Sequence, residues 1–525
     1  MARKYIIVTG GVLSGIGKGV VSASIGRLMK ESGIKVNSLK VDPYLNVDAG
    51  TMNPNQHGEV FVTDDGYEAD LDLGHYERFL GIEMKRFNNM TAGQIYKTVI
   101  EKEREGKYLG GTVQMVPHVT QEIKNRIEAV EADVLLIEIG GTVGDIEGEI
   151  FLEAVRQLST EKGRENFMFV HVTFVPYLRV TNEFKTKPTQ QSVQLLRRIG
   201  IHPDMLVVRT EMEIDTESLE KVALFGGLDS KYVINLPDLG NIYEVPEGLY
   251  KMNVQKLIAD KLSFDIKTDM KWNCPKSFRR DKIAIIGKYL GTDDAYKSIM
   301  ESIFLCGVKK PELIDSERLE ELDDEGVKAL LSNYDGLIIP GGFGKRGIEG
   351  KIKALKYARI NDVPLLGICL GMQLMVIEYA RNVKNLENAN SREFDENTPY
   401  AVIDIMEEQK KIINMGGTMR LGSQRTELIR GSKLFELHNE DIIYERHRHR
   451  YEANSQDFSE LFKMPGEEGE KLIISAKSDF VEAVELEDHP FYMGVQYHPE
   501  FKSKVGDPNP VFIGFVQAIE KLKNK

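Results

Sequence analysis

A glycine-flanked cysteine directly after an apolar run is the feature that most constrains how this chain can fold. Residues 363–368 form an apolar run typical of a buried strand, and the run leads into GICLG at 367–371. Gly367 and Gly371 leave room for a tight turn from strand to helix, which exposes the side chain at its apex. The helix predicted over 372–379 follows directly, and a helix N-terminus favours a thiolate. The sequence therefore predicts Cys369 as a nucleophile, with the next backbone N–H as an oxyanion donor.

A second motif, far downstream, supplies the groups that a thiol nucleophile needs. MGVQYHPE at 493–500 predicts a strand that runs into a loop. Residues two apart on an extended chain point to the same side, so His498 can act as base while Glu500 orients the imidazole. Each motif alone has a plainer interpretation, a buried structural cysteine or a surface turn. Their occurrence together favours catalysis.

Size and charge limit the class of protein. The 525 residues exceed the size at which a single core keeps growing, so we expect two or more domains. The net charge of −13 argues against broad nucleic-acid binding, and any anionic ligand must be met by local basic clusters. The cysteines at 274, 306 and 369 suit no disulfide framework or zinc site. With no signal peptide and no membrane-spanning run, we expect a cytoplasmic protein without a membrane partner.

The order of predicted elements indicates two α/β domains. Apolar runs at 5–8, 36–41, 134–139, 167–174 and 206–208 predict strands that alternate with helices, a pattern typical of a mostly parallel sheet. The polar stretch TDMKWNCPKSFRRD at 268–281 predicts a linker. New strands follow at 283–286 and 336–339. We therefore expect domains at 1–267 and 282–525.

A glycine-rich segment lies where a phosphate-binding loop belongs. VTGGVLSGIGKGVVSAS at 8–24 follows the first strand and opens the first helix. Backbone N–H groups and the helix N-terminus suit phosphate oxygens, and Lys18 can reach the outer phosphates. The segment differs from the pattern G-x-x-x-x-G-K-[ST] at two positions. Position 12 is Val, and the lysine is followed by Gly19 instead of Ser or Thr. A tight glycine turn without a ligand is the alternative.

Charged residues elsewhere in the first half suit a magnesium nucleotide. Asp72 and Glu138 are the candidate Mg²⁺ ligands, since hard oxygen ligands near a phosphate loop suit that ion. Lys40 ends the second predicted strand and adds positive charge. KTKPTQ at 185–190 is a candidate second triphosphate cradle. Each feature alone is typical of an exposed surface, and only their combination favours a site.

The C-terminal motifs resemble the class I glutamine amidotransferase family. The resemblance rests on GICLGMQ, PGGFG at 340–344 and the distant HPE. It implies hydrolysis of glutamine through a thioester and delivery of ammonia to a second site. It also implies that Gly342 contributes to the oxyanion site and that glutamine is bound by Leu370, Gly371, Met372, Gln373, Glu393 and Arg450.

Nearly the whole chain resembles the CTP synthase family. Besides the N-terminal motifs, the resemblance rests on 50–79, ENANSREF at 387–394, GGTMRLG at 416–422 and ERHRHRYE at 445–452. It implies that ATP phosphorylates O4 of UTP and that ammonia displaces the phosphate to give CTP, with Mg²⁺ as cofactor. It assigns ATP to Gly15, Ile16, Gly17, Lys18, Gly19, Val20, Lys40, Asp72, Asp238 and Leu239. It assigns UTP or CTP to Ser14, Asp145, Ile146, Glu147, Lys185, Thr186, Lys187, Pro188, Thr189, Gln190 and Lys221.

The same resemblance implies regulation and assembly. CTP would inhibit as product, and GTP would activate through a loop that contains Arg346. His57 and Val60 match the gate region of an ammonia passage. The resemblance further implies a homotetramer.

Two other functions remain open from the sequence. A cobyrinate-type amidotransferase also joins a phosphate-loop domain to a class I glutaminase, but it amidates carboxylates, and the KTKPTQ and HGEVFV segments argue against it. A nucleotide-binding switch or filament scaffold with a vestigial glutaminase is the non-enzymatic alternative. The presence of Cys369, His498 and Glu500 together disfavours it.

Overall fold

The structure, a computed structural model, describes residues 3–267, 270–405 and 419–524. Contacts between Cα atoms divide the chain into two compact units. Unit 1 comprises Met1–Gly50 and Asp72–Cys274, and unit 2 comprises Thr51–Leu71 and Pro275–Lys525. Both units are built around a β-sheet with helices, which confirms the predicted α/β class.

Unit 1 contains a parallel sheet whose strands carry buried, mostly β-branched and aliphatic side chains. Successive side chains point to opposite faces, so Ile7 packs into one apolar layer and Ile6 into the other. In spatial order the strands are Val233–Pro237, Met205–Thr210, Phe167–Phe174, Lys4–Gly10, Val134–Ile139, Val36–Asp42 and Asn89–Thr91. The loops after the carboxyl ends of these strands carry most of the predicted nucleotide ligands.

Helices cover both faces of this sheet. Several begin at side-chain caps, such as Thr91, whose hydroxyl accepts the N–H of Gln94. The helices of unit 1 are Lys18–Glu31, Asp72–Leu80, Ala92–Arg104, Thr120–Ala129, Glu149–Glu161, Lys187–Arg198, Thr216–Gly226, Val245–Lys251 and Val254–Leu262.

Unit 2 contains a mixed sheet. Its parallel part runs in the order Glu312–Asp315, Ile283–Gly287, Gly336–Ile339, Leu365–Ile368 and Tyr492–Val495. An antiparallel part continues with Val481–Glu485, Leu472–Lys477, Arg420–Leu428 and Ile442–His449. The main helices are Lys297–Leu305, Ser316–Glu320, Asp324–Leu331, Ile348–Ile360, Leu370–Asn382, Lys433–His438 and Pro510–Lys523.

One segment lies in a different unit from the one that its sequence position predicted. The predicted boundary assigned the whole first half to one domain, whereas Thr51–Leu71 packs with unit 2. The Glu59 carboxylate accepts the backbone N–H of Ser298 at 2.9 Å. The fully buried Arg446 forms an ion pair with Asp64. A buried guanidinium requires such a carboxylate, and this segment provides it.

The predicted linker is also more ordered than its polar composition indicated. Trp272 stacks on Phe79 of unit 1 and donates its indole N–H to the carbonyl of Tyr243 at 2.9 Å. Arg279 donates to Asp281 at 2.7 Å within unit 2. The unit boundary therefore falls between residues 274 and 275.

Two parts of the sequence-based description fall partly outside the described residues. These are the first two residues of the 268–281 linker and the first three residues of the GGTMRLG segment at 416–422. Among the helices that the structure does describe, none is long and apolar enough to cross a membrane.

Candidate active sites

The strand-to-helix turn predicted around Cys369 is present. Cys369 lies between the strand Leu365–Ile368 and the helix Leu370–Asn382, with φ 52° and ψ −103°. Positive φ is unfavourable for a residue with a Cβ and is found at strained functional turns. A Cβ at Gly371 would collide with the carbonyl oxygen of Ile339, so only glycine fits there. The turn thus holds the thiol at the carboxyl edge of the sheet.

His498 and Glu500 lie beside this cysteine. Nδ1 of His498 is 2.7 Å from Oε1 of Glu500, and both side chains are buried. A Cβ at Gly341 would lie 2.9 Å from the His498 ring and 3.6 Å from Cβ of Cys369, so the two side chains flank the same glycine. Burial lowers the pKa of His498, but the Glu500 carboxylate and the Cys369 sulfur together raise it to about 10. The imidazole is therefore held as imidazolium at neutral pH.

Two buried lysines fix the loop at 340–344. Lys288 donates to the carbonyl oxygens of Phe343 and, at 3.0 Å, of Gly344. Lys351 is fully buried, and its Nζ is 3.5 Å from the carbonyl oxygen of Pro340. In a trans peptide the C=O and the following N–H point in opposite directions. Because the lysines hold these carbonyls, the N–H group that follows each carbonyl points away from the lysine.

Both lysines lie in surroundings that disfavour their charge. Burial lowers the pKa of Lys288, although the nearby Glu393 carboxylate opposes the effect. Burial and the positive charge of Lys288 lower the pKa of Lys351 to about 7, against the opposing influence of Cys369. The loop is thus held by cations that gain stability when negative charge develops nearby.

The predicted glutamine ligands gather around the same loop. Glu393 accepts the N–H of Gly344 at 2.7 Å. Burial raises the pKa of Glu393, while that N–H, Lys288 and Arg450 oppose the rise, which places Arg450 within electrostatic reach. The Gln373 side chain instead donates to the carbonyl of Tyr451 at 2.9 Å. Its amide is therefore already engaged by the protein.

A cleft opens next to Cys369 within unit 2. Gly342 lines it together with the predicted catalytic residues and with Val60 and Arg448. Leu370, Gly371 and Met372 are buried at the start of the following helix. Met372 packs against Gly494, because a Cβ at position 494 would lie only 3.0 Å from Cβ of Met372. The Met372 side chain therefore points into the core. A backbone contribution from these residues agrees better with the structure than a side-chain one.

In unit 1, the glycine-rich segment forms a loop between strand and helix. Val12, where the loop differs from the standard phosphate-loop pattern, adopts a φ of 79°, a conformation in which glycine is usual. Lys18, the first residue of its helix, is buried and donates to the carbonyl of Gly141 at 2.8 Å. Burial lowers its pKa, and the Glu138 carboxylate opposes the effect. The lysine ammonium thus lies within a carboxylate cluster.

The two candidate metal ligands face the same space. Asp72 and Glu138 both lie against Gly19, where a Cβ would collide with the first and lie 3.6 Å from the second. Lys40 forms an ion pair with Asp72 and lies 3.9 Å from Glu138. Burial and the Asp72 carboxylate raise the pKa of Glu138 to about 7, while Lys40 and Lys18 oppose the rise.

This donor set fits a hard cation that is shared with phosphate. Two carboxylates provide oxygen ligands, and Mg²⁺ is usually bound by one or two carboxylates plus substrate phosphates. Within the described ranges, no group of three or more His, Cys, Asp or Glu side chains is arranged to hold a metal ion by itself. The pair therefore suits an ion that arrives with a nucleotide.

Most of the predicted ATP ligands line one cleft of unit 1. Arg209, which the sequence did not indicate, donates to Asp238 at 2.6 Å in the same cleft. Burial lowers the pKa of Arg209, and Asp238 opposes this. The predicted residues that line the cleft are Gly15, Ile16, Gly17, Val20, Asp238 and Leu239.

The predicted UTP and CTP residues fall into separate groups. Lys187 begins the helix Lys187–Arg198, and the buried Gln190 side chain donates to Thr186 Oγ1 at 3.1 Å. Lys185 is half-buried and pairs with Glu183. The hydrogen bond from Lys185 lowers the pKa of Glu183, and the charge of Lys221 adds to this effect. Thr189 is buried, with Pro188 at the first turn, while Ser14 is exposed in the phosphate loop.

The acidic group lies in the loop after the strand Val134–Ile139. Asp145 accepts the N–H of Thr142 at 2.8 Å, which fixes the turn. Ile146 and Glu147 line a second cleft, together with Tyr96 and Arg198. The side chain of Ile146 is 86% exposed.

Several residues in these sites escaped the sequence analysis. Lys288 and Arg209 each follow an apolar run, Lys351 lies within a charged helix, and the three carry no motif of their own. A charged residue within an apolar pattern is the one available signal, and it does not identify a partner. Their roles depend on carbonyls and carboxylates that are distant in sequence.

Comparisons with known proteins identify the family to which both parts of the chain are similar. The family model described as "CTP synthase N-terminus" matches residues 4–264, and that of "Glutamine amidotransferase class-I" matches 292–518. The chain is 68% identical over 519 residues to a CTP synthase of Thermosipho africanus, with 99% of each chain covered. It is 67% identical over 520 residues to a CTP synthase of Thermotoga maritima, again with 99% of each covered.

A solved structure, the Trypanosoma brucei CTPS glutaminase domain with bound acivicin, is 38% identical to this chain. It covers 46% of this chain and 94% of its own, with a TM-score of 0.41. The full-length identity to curated relatives, together with the two family models, shows that this chain belongs to the CTP synthase family.

Proposed function

We propose that the chain converts UTP to CTP by means of the residues described above, with ATP as cosubstrate and glutamine as nitrogen donor. The overall reaction is UTP, ATP, glutamine and water to CTP, ADP, phosphate and glutamate. The observation that carries this proposal is the presence of both half-sites in one chain. In unit 2, a cysteine with a strained backbone lies beside a His–Glu pair. In unit 1, a glycine-rich loop lies beside a pair of carboxylates. The carboxylate-amidating alternative has no support from the family matches.

The glutaminase half-reaction follows from the Cys369 geometry. His498 takes the proton of the Cys369 thiol, and the sulfur attacks the amide carbon of glutamine, forming a carbon–sulfur bond. The His498 imidazolium then gives its proton to the departing nitrogen, which leaves as ammonia. Backbone N–H groups of Gly342 and Leu370 would hold the oxyanion. Water next attacks the thioester, the carbon–sulfur bond breaks, and glutamate is released.

The synthetase half-reaction needs positioning and charge neutralisation. Lys18 and Lys40 lie beside the carboxylates Asp72 and Glu138, which would hold Mg²⁺. When bound, that ion neutralises the charge of the nucleotide phosphates. The γ-phosphoryl group of ATP passes to O4 of UTP. Ammonia then attacks C4, and the C4–O bond breaks to release phosphate.

We propose a shared triphosphate cradle for UTP and CTP with separate sites for their bases. Support comes from the separation of the basic group at the start of the helix Lys187–Arg198 from the acidic turn that contains Glu147. A carboxylate repels triphosphate but can accept hydrogen bonds from ribose or from the cytosine amino group. Glu147→Ala should therefore weaken inhibition by CTP far more than use of UTP, whereas Lys187→Ala should weaken both. Equal losses in Glu147→Ala would refute separate base sites.

Regulation by GTP and assembly as a homotetramer are further proposals. Arg346 donates to Glu317 at 3.0 Å and to the carbonyl of Lys288 at 2.8 Å, so a ligand that displaces it would reach the lysine that holds the loop at 340–344. His57 ends a short helix whose segment contributes Val60 to the Cys369 cleft, which supports a gate there. The exposed side chains of Leu45 and Ile146 support burial by another subunit. A cytoplasmic location stays a prediction.

Transfer of labelled nitrogen tests the proposed function directly. Glutamine labelled at the amide nitrogen should give labelled CTP when UTP and ATP are present. Cys369→Ala should abolish this transfer but retain synthesis from added ammonia. Lys18→Ala should do the reverse, keeping basal glutaminase while losing synthesis. If both activities were lost in each folded variant, the assignment of two separate half-sites would be wrong.

A further inference from the structure

A fully buried histidine in unit 1 belongs to no site described above. His171 lies on the strand Phe167–Phe174 and has no solvent exposure. Its Nδ1 is 2.9 Å from Oγ1 of Thr9, and its Nε2 is 2.8 Å from Oγ of Ser192. Burial, with a smaller effect of the nearby Lys18, lowers its pKa to about 3. The ring is therefore neutral, with one nitrogen as donor and one as acceptor, and the two hydroxyls can satisfy both.

Its two partners belong to the two triphosphate-binding elements. Thr9 directly precedes Gly10 and Gly11, where the phosphate loop begins. Ser192 lies on the helix that begins at Lys187. A Cβ at Gly11 would collide with Oγ of Ser192 and lie 2.7 Å from Nε2 of His171. The loop backbone thus rests directly on the His171–Ser192 pair, and no other residue fits at position 11.

A second polar contact joins the same strand and helix one turn earlier. Oγ1 of Thr173 is 2.9 Å from Oγ1 of Thr189, which also donates to the carbonyl of Phe174 at 3.1 Å. Residues two apart on the strand thus pair with residues three apart on the helix, so the helix has a fixed rotation and height above the sheet. This second contact reaches only the helix. His171 differs in that it bonds both to the helix and to the strand that opens the phosphate loop.

We propose that His171 is a positioning residue that sets the distance between the phosphate loop and the Lys187–Arg198 helix, and so aligns ATP with UTP for phosphoryl transfer. The inference rests on the proposed function, which places ATP on the first element and UTP on the second. The transferred group must lie near the attacking oxygen in line with the leaving oxygen, and an error of about 1 Å costs roughly 100-fold in rate. A neutral, fully hydrogen-bonded ring holds such a distance without adding charge next to Lys18.

Two conservative variants separate the two bonds. Asparagine places an amide near the position of Nδ1, and glutamine places one near that of Nε2. His171→Asn should therefore keep the bond to Thr9, and His171→Gln the bond to Ser192. We expect each to lower kcat of ammonia-dependent CTP synthesis by roughly 10- to 100-fold. The KM values of ATP and of UTP should change by less than about threefold, because each nucleotide still meets its own element.

The controls distinguish alignment from general stability. Basal glutaminase should stay at the wild-type level in both variants, and the exposed His202→Asn should resemble wild type in every assay. A histidine that only fills the core would lower the melting temperature and leave kcat intact in the folded protein. Wild-type kcat in folded His171→Asn and His171→Gln would overturn the inference. Absence of CTP synthesis in the wild type would instead refute the proposed function.

A double-mutant cycle covers the case in which substitutions of His171 do not fold. Thr9→Val and Ser192→Ala each remove one hydroxyl and keep the ring in place. Because the connection fails once either bond is lost, the double variant should lose no more than about the larger of the two single losses in kcat. Losses that multiply in the double variant would show two independent local effects and would overturn the inference.

Discussion

Replacing Glu500 by glutamine tests whether this carboxylate controls the protonation of His498. The two side chains are 2.7 Å apart. Burial lowers the pKa of His498, but Glu500 and Cys369 together raise it from 6.5 to about 10. The difference corresponds to about 5 kcal/mol in favour of the imidazolium, at roughly 1.4 kcal/mol per pH unit. Glutamine has nearly the same shape but no charge. The variant therefore removes the raising effect of the Glu500 charge and leaves the burial that lowers the pKa.

The sign of the expected change follows from the role of the proton. Wild-type His498 keeps its proton through neutral pH and loses it only as the pH rises towards about 10. In Glu500→Gln the pKa of His498 falls, so the ring loses its proton at a lower pH than in the wild type and then lacks the proton for the departing ammonia. Loss of a positioned general acid typically costs about 100- to 10,000-fold in rate. The basic limb of the glutaminase pH profile should accordingly move to lower pH.

Release of glutamate measured from about pH 6 to about pH 10 provides the assay. Glu487→Gln is a matched control, since Glu487 forms its ion pair with Lys463 at the surface of the same unit. Ammonia-dependent synthesis should be unchanged in both variants and reports that they are folded. A Glu500→Gln profile that superimposes on the wild-type profile, in rate and in pH dependence, would refute the reasoning.

Three further predictions concern the other charged groups. Lys351→Met should lower glutaminase kcat about tenfold without raising KM for glutamine, because it frees the Pro340 peptide in the loop at 340–344, which is the proposed oxyanion loop. Lys353→Met on the same helix should have no effect. Steady-state kinetics check this, and equal effects of both would contradict it. Asp64→Asn should destabilise unit 2 by about 3 kcal/mol in urea, since it leaves the buried guanidinium of Arg446 short of a carboxylate, and a loss below about 0.5 kcal/mol would show that the carbonyls of Val62 and Phe501 are sufficient to hold that guanidinium. Glu138→Gln should raise the magnesium concentration required for synthesis, and an unchanged metal titration would remove it from the metal site.

Local patterns predicted three side chains that the fold brings together in unit 2. The apolar run before GICLG and the spacing in HPE depend only on neighbouring residues, and the structure brings Cys369, His498 and Glu500 together. The parallel sheet of unit 1 likewise follows from alternating strand and helix patterns. Strand ends and turns are encoded over a few residues, so they can be read without knowledge of the tertiary fold.

Partners that are distant in sequence could not be predicted. The acidic stretch at 63–72 and the basic run RHRHR each have the composition of a solvated surface. The structure pairs Asp64 with Arg446 and Glu68 with Arg448, across more than 370 residues of sequence. Neither run carries a signal for the other, which is why the domain boundary missed the segment Thr51–Leu71.

Buried lysines explain how an acidic chain can hold anionic ligands. The net charge of −13 repels phosphates and carboxylates at long range, so attraction must arise locally. Lys18 near the phosphate loop and Lys288 and Lys351 below the oxyanion loop are all buried, and burial lowers the pKa of each. An anion that arrives beside such a lysine favours its charged form and offsets the desolvation. Because this attraction is strongest where water is excluded, each lysine stabilises negative charge at one place in the fold. The surface as a whole therefore does not attract polyanions.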